Sequence, residues 1–465
     1  MQVAKRAKGA PNMFRLTGPA QDLYDGIADL PIVSPHGHCD PTWFATDAPF
    51  ANPAELLVIP DHYVFRMLYS QGVSLAELGV GAAGKSANPR DVFRLFAAHW
   101  HLFLGTPSRL WIAYVLHQTL GIKTPLSPET VDQIYDQIAD RLAQDDHRPR
   151  ALFDRFGIEV LATTDGALDT LEHHQTIANS GWNGRVIPTF RPDGVLDPND
   201  AKFADNLKHL GQVTGTDIGQ FDGYLAALRK RRAFFVAMGA TATDHAIEVV
   251  HTTWIADPEE LYQRVRTGRA SQSDAATFYG HMLIEMAQMS VDDGVVMQIH
   301  GGSRRNTNAD VLRQFGRDKG ADIPIACDWV RGLDALLDRV GNSPDLTLVL
   351  FTLDEATYAR ELAPMAGHWP AVRIGPPWWF HDSPAGIARY FDQVVETAGY
   401  QNLAGFNDDT RAFMSIPARH DLWRRGVADH LARQVERGYF GTEDARNLGR
   451  LLATDLARDA YRLAI

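Results

Sequence analysis

Cysteine is almost missing from this chain: Cys39 and Cys327 are the only two in 465 residues. A disulfide-stapled secreted scaffold is therefore excluded, and a reducing cytoplasm is the expected setting. Long apolar runs are missing too. Nothing approaches the roughly 20 uninterrupted apolar residues of a membrane span. The basic start, MQVAKRAKGA, is not followed by the apolar core of a secretory signal. Positive charge is scarce: 45 Lys and Arg stand against 57 Asp and Glu, for a net charge of −12. That argues against nucleic acid or an anionic membrane as a partner. No G-x-G-x-x-G follows the first apolar run, which weakens a dinucleotide-binding reading. Internal repeats and low-complexity tracts are absent as well. What is left is an ordinary globular composition, 45% hydrophobic and 22% charged, in a chain long enough for a large core and two packed units.

The chain is organised around PIVSPHGHCDP, Pro31 to Pro41. A short apolar run delivers His36 and His38, two residues apart. In extended chain, side chains repeat every second residue, so both imidazoles point the same way. Two such nitrogens suit a divalent metal. Cys39 falls on the opposite side and reads as a packing residue.

From about Asp40 to Arg155 the pattern is mostly helical. Pro53–Leu57, Asp91–Leu104 and Pro107–Leu120 carry helical spacing, and Ser127-Pro128-Glu129 predicts a capped helix running to Leu142. A rhythm of short apolar runs follows, at Ile158–Ala162, Val186–Phe190, Phe234–Met238, Val295–Ile299, Leu346–Phe351, Ala371–Ile374 and Leu403–Phe406. With the first run these make eight strands, mostly separated by helical stretches. Such alternation implies parallel pairing and a closed (β/α)8 barrel, with function at the C-terminal strand ends. The tail from about Ser415 reads as helices packed on the barrel.

Those strand ends hold the reactive side chains. Asp408 and Asp409 close the eighth run, which in a barrel lies beside the first. An aspartate here can complete a two-histidine metal site or cap a helix; for Asp408 the two readings are equal, and for Asp409 the residues alone leave both open. His62 and Arg66 share a helical face next to Tyr63. Arg191 ends the third run with a fork suited to a carboxylate or to a rim salt bridge. His300 ends the fifth run just before Gly301-Gly302. Trp378-Trp379 reads as core or as an apolar wall against a sugar.

In order and spacing these motifs resemble the uronate (glucuronate) isomerases of the amidohydrolase superfamily. The stretches that carry the likeness are H-x-H at His36, D-H-Y-x-x-R from Asp61 to Arg66, and T-T-D from Thr163 to Asp165. T-F-R-P-D at Thr189–Asp193, T-D-H at Thr243–His245, and M-Q-I-H at Met297–His300 with Arg305-Asn306 continue it. Gly375 with Trp378-Trp379-Phe380 and Asp382, D-T-R-A-F at Asp409–Phe413, and Arg419-His420 with Arg424-Arg425 complete it. The chain departs from the family pattern at Ala113 and Val115, where the family carries His and Glu, at Gly166-Ala167, and at Gly239-Ala240. These departures touch substrate identity more than the metal positions.

The resemblance implies a distorted (β/α)8 barrel of amidohydrolase type with a helical insertion after strand one and C-terminal helices. It divides the chain at 1–39, 40–155 and 156–465. It implies one divalent metal on His36, His38 and Asp409, zinc first and manganese, iron, cobalt or nickel as alternatives. It implies aldose–ketose isomerisation of a hexuronate. Asp409, Tyr63, His62 and His300 are then the catalytic candidates, and Arg191, Arg411, Trp378 and Asp244 the substrate-binding ones. The expected partner is a small sugar acid, and a homo-oligomer is expected. The runner-up is a metal-dependent hydrolase of a sugar-acid ester, amide or lactone. Against it, Met238-Gly239-Ala240 offers no lysine to bridge two metals. A sugar-acid binding protein without turnover is the reading from a different class.

Overall fold

A computed structural model describes residues 14–463; the basic stretch at 1–10 lies outside them. Seven strands run parallel and follow one another in chain order. They are Ile32–Ser34; Ile158–Ala162 with its continuation Asp165–Gly166; Val186–Ile187 with Phe190–Arg191; Ala242–Ile247; Val296–Gly301; Leu348–Thr352; and Val372–Ile374. Their side chains are buried on both faces, as a parallel sheet covered by helices requires. Pro188 has no N–H to give the ladder, and the third strand breaks there into its two short pieces. The eighth segment touches both neighbours: Leu403 bridges to Ile374, and Thr410 O accepts from His38 N at 3.0 Å. The result is a distorted (β/α)8 barrel.

One strand is not where the apolar run predicts it. Phe234–Met238 closes the helix Phe221–Ala237, which buries Phe221, Tyr224, Leu228, Arg231 and Phe235 at helical spacing. A five-residue apolar run has no period that tells a buried helix from a strand. Gly239, at φ +97°, ends the helix, and the fourth strand begins at Ala242. Asp244 and His245 therefore lie within a strand rather than beyond one. The fourth strand as observed, Ala-Thr-Asp-His-Ala-Ile, likewise holds no lysine.

After the first strand comes a helical layer. It includes Pro53–Leu57, His62–Tyr69, Pro89–Ala98 with a tight turn at Trp100–Phe103, and Pro107–Tyr114 widening at Val115–Thr119. Ser127 does not cap the next helix, Val131–Leu142. Thr130 Oγ1 donates to Pro125 O at 2.7 Å and accepts from Ser127 N at 3.0 Å, which closes a turn first. These helices share a hydrophobic cluster with Ile32, Cys39, Ile158, Leu161 and Val186 on the barrel's flank. The C-terminal helices, led by Ile416–Glu436, belong to the larger cluster around the other strands. They reach inside as well: Tyr461 Oη donates to Gln298 Oε1 at 2.8 Å on the fifth strand. None of the described helices is long and apolar enough to cross a membrane.

Candidate active site

His36 and His38 leave the first strand on one side, as their two-residue spacing dictates, with rings 5.3 Å apart. Asp409 meets both from the eighth segment: its Oδ1 lies 3.5 Å from His36 Nε2 and 3.1 Å from His38 Nε2. Burial pushes the Asp409 carboxyl up, but the two histidines outweigh it and hold it well below the usual range. His300 joins from the fifth strand. Its ring stacks on His36 at 4.9 Å, and its Nε2 is 3.9 Å from Asp409 Oδ2. One donor atom from each of His36, His300 and Asp409 falls within 4.8 Å of the others, an arrangement that can hold a metal ion. His300 Nε2 is buried without a hydrogen-bond partner, so its lone pair is available to an ion. Imidazole and carboxylate donors suit a divalent cation. His38 stands at the edge of this trio, a quarter exposed.

A second ring of contacts orients the trio. His300 Nδ1 lies 2.7 Å from Asp244 Oδ1; an ionised carboxylate only accepts, so Nδ1 donates to it and Nε2 faces the trio. Burial pushes the Asp244 carboxyl up, yet His300 and Arg191 hold it well below the usual range. Arg191 Nε donates to Asp193 Oδ2 at 2.8 Å, and its Nη1 is 3.4 Å from Asp244 Oδ2. The His300 ring lies flat on Phe351 at 4.2 Å and edge-on to Trp378 at 5.0 Å. Phe351 can sit there because position 375 is glycine: a Cβ would stand 2.4 Å from its ring.

Above the trio opens a cavity of about 410 Å³. His62 and Tyr63 enter it from the first turn of a helix that Asp61 caps by accepting from Tyr63 N at 2.8 Å. Trp379 Nε1 donates to His62 Nε2 at 2.6 Å. Burial, aided by Arg411, keeps His62 well below its ordinary value, so it is neutral. Burial lifts the Tyr63 phenol well above its ordinary value, with Arg419 opposing. Arg411 reaches the cavity from beyond Asp409, with Nη2 3.4 Å from Asp318 Oδ2. Asp409, Trp379, Asn306 and Asp318 line this space with positive φ, of 40°, 56°, 56° and 60°. Non-glycine residues in that region concentrate where surrounding structure holds a site together.

Every sequence-predicted site residue faces this one cavity. Asp408 does not cap a helix. It is buried, its Oδ2 3.1 Å from His420 Nε2, and the next long helix starts only at Ile416. The motifs leave out most of one wall of the cavity, where Arg317, Asp318, Gly320 and Asp322 join Arg305 and Asn306 from the segment after the fifth strand. The long, irregular, glycine-punctuated stretch after Gly301-Gly302 was its sequence signal, and Arg305-Asn306 the only part within a motif. Asp200 was also missed, and Asp193 figured only as the last residue of the T-F-R-P-D motif.

The profile of the glucuronate isomerase family matches residues 12–460. The chain belongs to this family. A uronate isomerase of Rhizorhabdus wittichii is 56% identical over 446 residues, covering 96% of this chain and 95% of its own. One from Mesorhizobium japonicum is 54% identical, with 96% of each chain covered. Among solved structures, the glucuronate isomerase of Caulobacter crescentus superposes with a TM-score of 0.94 at 49% identity, covering 96% of this chain and 94% of that one. The uronate isomerase of Thermotoga maritima gives 0.90 at 27% identity, with 95% and 97% covered. The expectation of an aldose–ketose isomerase of the uronate type therefore stands. Of this member's departures from the family motifs, Gly166 lies in the cavity wall, whereas Ala113, Val115, Ala167, Gly239 and Ala240 do not line it.

Proposed function

We propose that this glucuronate isomerase family member interconverts aldose and ketose hexuronates, D-glucuronate with D-fructuronate or D-galacturonate with D-tagaturonate, in the cavity above His36, His300 and Asp409. The observation that carries the proposal is the pairing, in one 410 Å³ space, of a metal-type donor trio with an arginine whose guanidinium is reachable from solvent. His36, His300 and Asp409, with His38 beside them, would hold a divalent ion, zinc in the first place, and that ion would supply Lewis-acid polarisation of a carbonyl. Arg411 takes the carboxylate at the other end. Trp378 and Trp379 supply the apolar wall against the sugar.

Isomerisation takes one proton from the carbon beside the carbonyl and returns one to the carbonyl carbon, while a hydroxyl proton passes between the two oxygens. Proton transfer needs groups that can both take and give a proton within reach of the sugar. Asp409 and Tyr63 both face this cavity, and we assign the transfer to them. His300 and His62 are occupied elsewhere, by Asp244 and by the Trp379 N–H. We assign them to orienting the ion and Trp379. A cytoplasmic setting accords with the near-absence of cysteine. The test is to incubate metal-loaded protein with D-glucuronate and D-galacturonate and follow ketose formation by NMR. Conversion of at least one is expected; no conversion of any hexuronate would sink the proposal.

A further inference from the structure

Four arginines and six aspartates line the cavity, so it carries an excess of two negative charges before histidines or any ion are counted. Each arginine already has an aspartate: Arg191 has Asp193 and Asp244, Arg305 has Asp322, Arg317 has Asp200, and Arg411 has Asp318. An anionic sugar entering this space therefore meets arginines that each already hold an aspartate.

Three of the four pairs are poor candidates for opening. Arg191 is held by two carboxylates, one of them fully buried. Asp322 is buried and also accepts from Asn306 N at 2.9 Å. Arg317 points out to solvent at the outer rim, 68% exposed. Arg411 and Asp318 differ from all of these. Both side chains are partly open to solvent, 36% and 45% exposed, neither is at the outer rim, and Arg411 is two residues from Asp409. The Asp318 backbone is fixed in the left-handed region, with its N–H donating to Asn306 Oδ1 at 3.1 Å. Its carboxylate is thus presented to Arg411 by a held loop.

We propose that Asp318 is a displaceable counter-ion that occupies Arg411 in the free enzyme, yields it to the substrate's carboxylate, and thereby sets the affinity for the sugar acid. This rests on the reading of Arg411 as the carboxylate anchor. The displaced aspartate turns to solvent, which its exposure allows. An uncharged sugar does not compete for Arg411 and leaves the pair closed.

Kinetics on D-glucuronate with the metal-loaded enzyme test this in Asp318→Asn, Arg411→Met and the double variant. Asparagine suits a left-handed backbone, and Asp318→Gly is the second variant free of both charge and strain. In each single Asp318 variant KM is expected to fall about three- to fivefold with kcat within twofold, the size of a half-exposed ion pair. In the double variant the gain should vanish. An unchanged or raised KM in both Asp318 variants, with Arg411→Met still impaired, would overturn the counter-ion role alone. A gain that survives in the double variant would overturn it too. A normal KM in Arg411→Met would remove the anchor and the counter-ion together.

Discussion

Arg191 and Arg411 face the same cavity with different ties, and that difference separates their expected phenotypes. Arg191 neutralises Asp193 and Asp244, and through Asp244 it steadies His300. Arg191→Met leaves buried carboxylates without a counter-charge, a loss of about 3–5 kcal/mol. It should lower Tm and hurt charged and uncharged substrates alike. Arg411→Met removes a half-exposed group with one aspartate partner. The metal should stay and Tm should barely move. For a hexuronate, kcat/KM should drop about a hundredfold, or roughly 2.7 kcal/mol. Kinetics on a uronate and its matching aldose, beside melting curves, distinguish the two. The histidines divide similarly. His36→Ala and His300→Ala should lose the ion, as read by elemental analysis. His38→Ala, which removes a neighbour of Asp409 outside the trio, should only weaken binding, about 10- to 100-fold. Full occupancy in His300→Ala would take that residue out of the coordination set.

At the scale of elements, most strand ends deliver one or two groups to a common cavity, and the sixth supports it from beneath through Phe351. The seventh strand contributes no ligand, yet Gly375 just beyond it makes room for Phe351, on which His300 lies. A methyl group at that position meets the Phe351 ring at 2.4–2.8 Å. Gly375→Ala should therefore cost about 1–3 kcal/mol through overpacking. It should also displace the His300 ring, cutting metal affinity more than a surface glycine change would. Isothermal metal titration of the variant is the check: wild-type affinity would mean that Phe351 does not position His300. The loop after the fifth strand is pinned in a comparable way, since a Cβ at Gly320 would come within 2.8 Å of Arg66 Cβ.

Across the whole molecule, buried titratable groups make stability depend on pH. Asp165 is buried beside Thr163 Oγ1, which donates to its Oδ2 at 2.7 Å. Burial lifts its pKa to about 7, and burial holds His174, 3.8 Å away, down at about 4, so no cation offsets it. A carboxyl that titrates higher folded than unfolded binds its proton more tightly in the folded state. Its contribution is full below the unfolded value near 4 and is lost as pH rises toward and through 7. Asp165→Asn keeps a hydrogen-bond acceptor without the charge. The stability of wild type relative to this variant should fall between pH 3 and 8, by up to about 4 kcal/mol. Denaturant melts across that range measure it, and a flat difference would show Asp165 ionised at no cost.

The sequence by itself determined whatever depends on neighbours along the chain. The two-residue spacing of His36 and His38 put both rings on one side, and apolar runs ending in polar residues marked six of the seven strands and the eighth segment. Family motifs placed Asp409, Arg191, His300 and Trp378 at the barrel's mouth. Tertiary structure decided what depends on residues far apart. Whether Phe234–Met238 is helix or strand turned on what its side chains pack against, which a short apolar run does not encode. His300 joined His36 and Asp409 because strands five, one and eight converge, a meeting of residues more than 100 positions apart. The wall around Asp318 carries little periodic signal because an irregular loop is held by individual hydrogen bonds and ion pairs. For the same reason only the folded chain shows that every arginine in the cavity already has its aspartate.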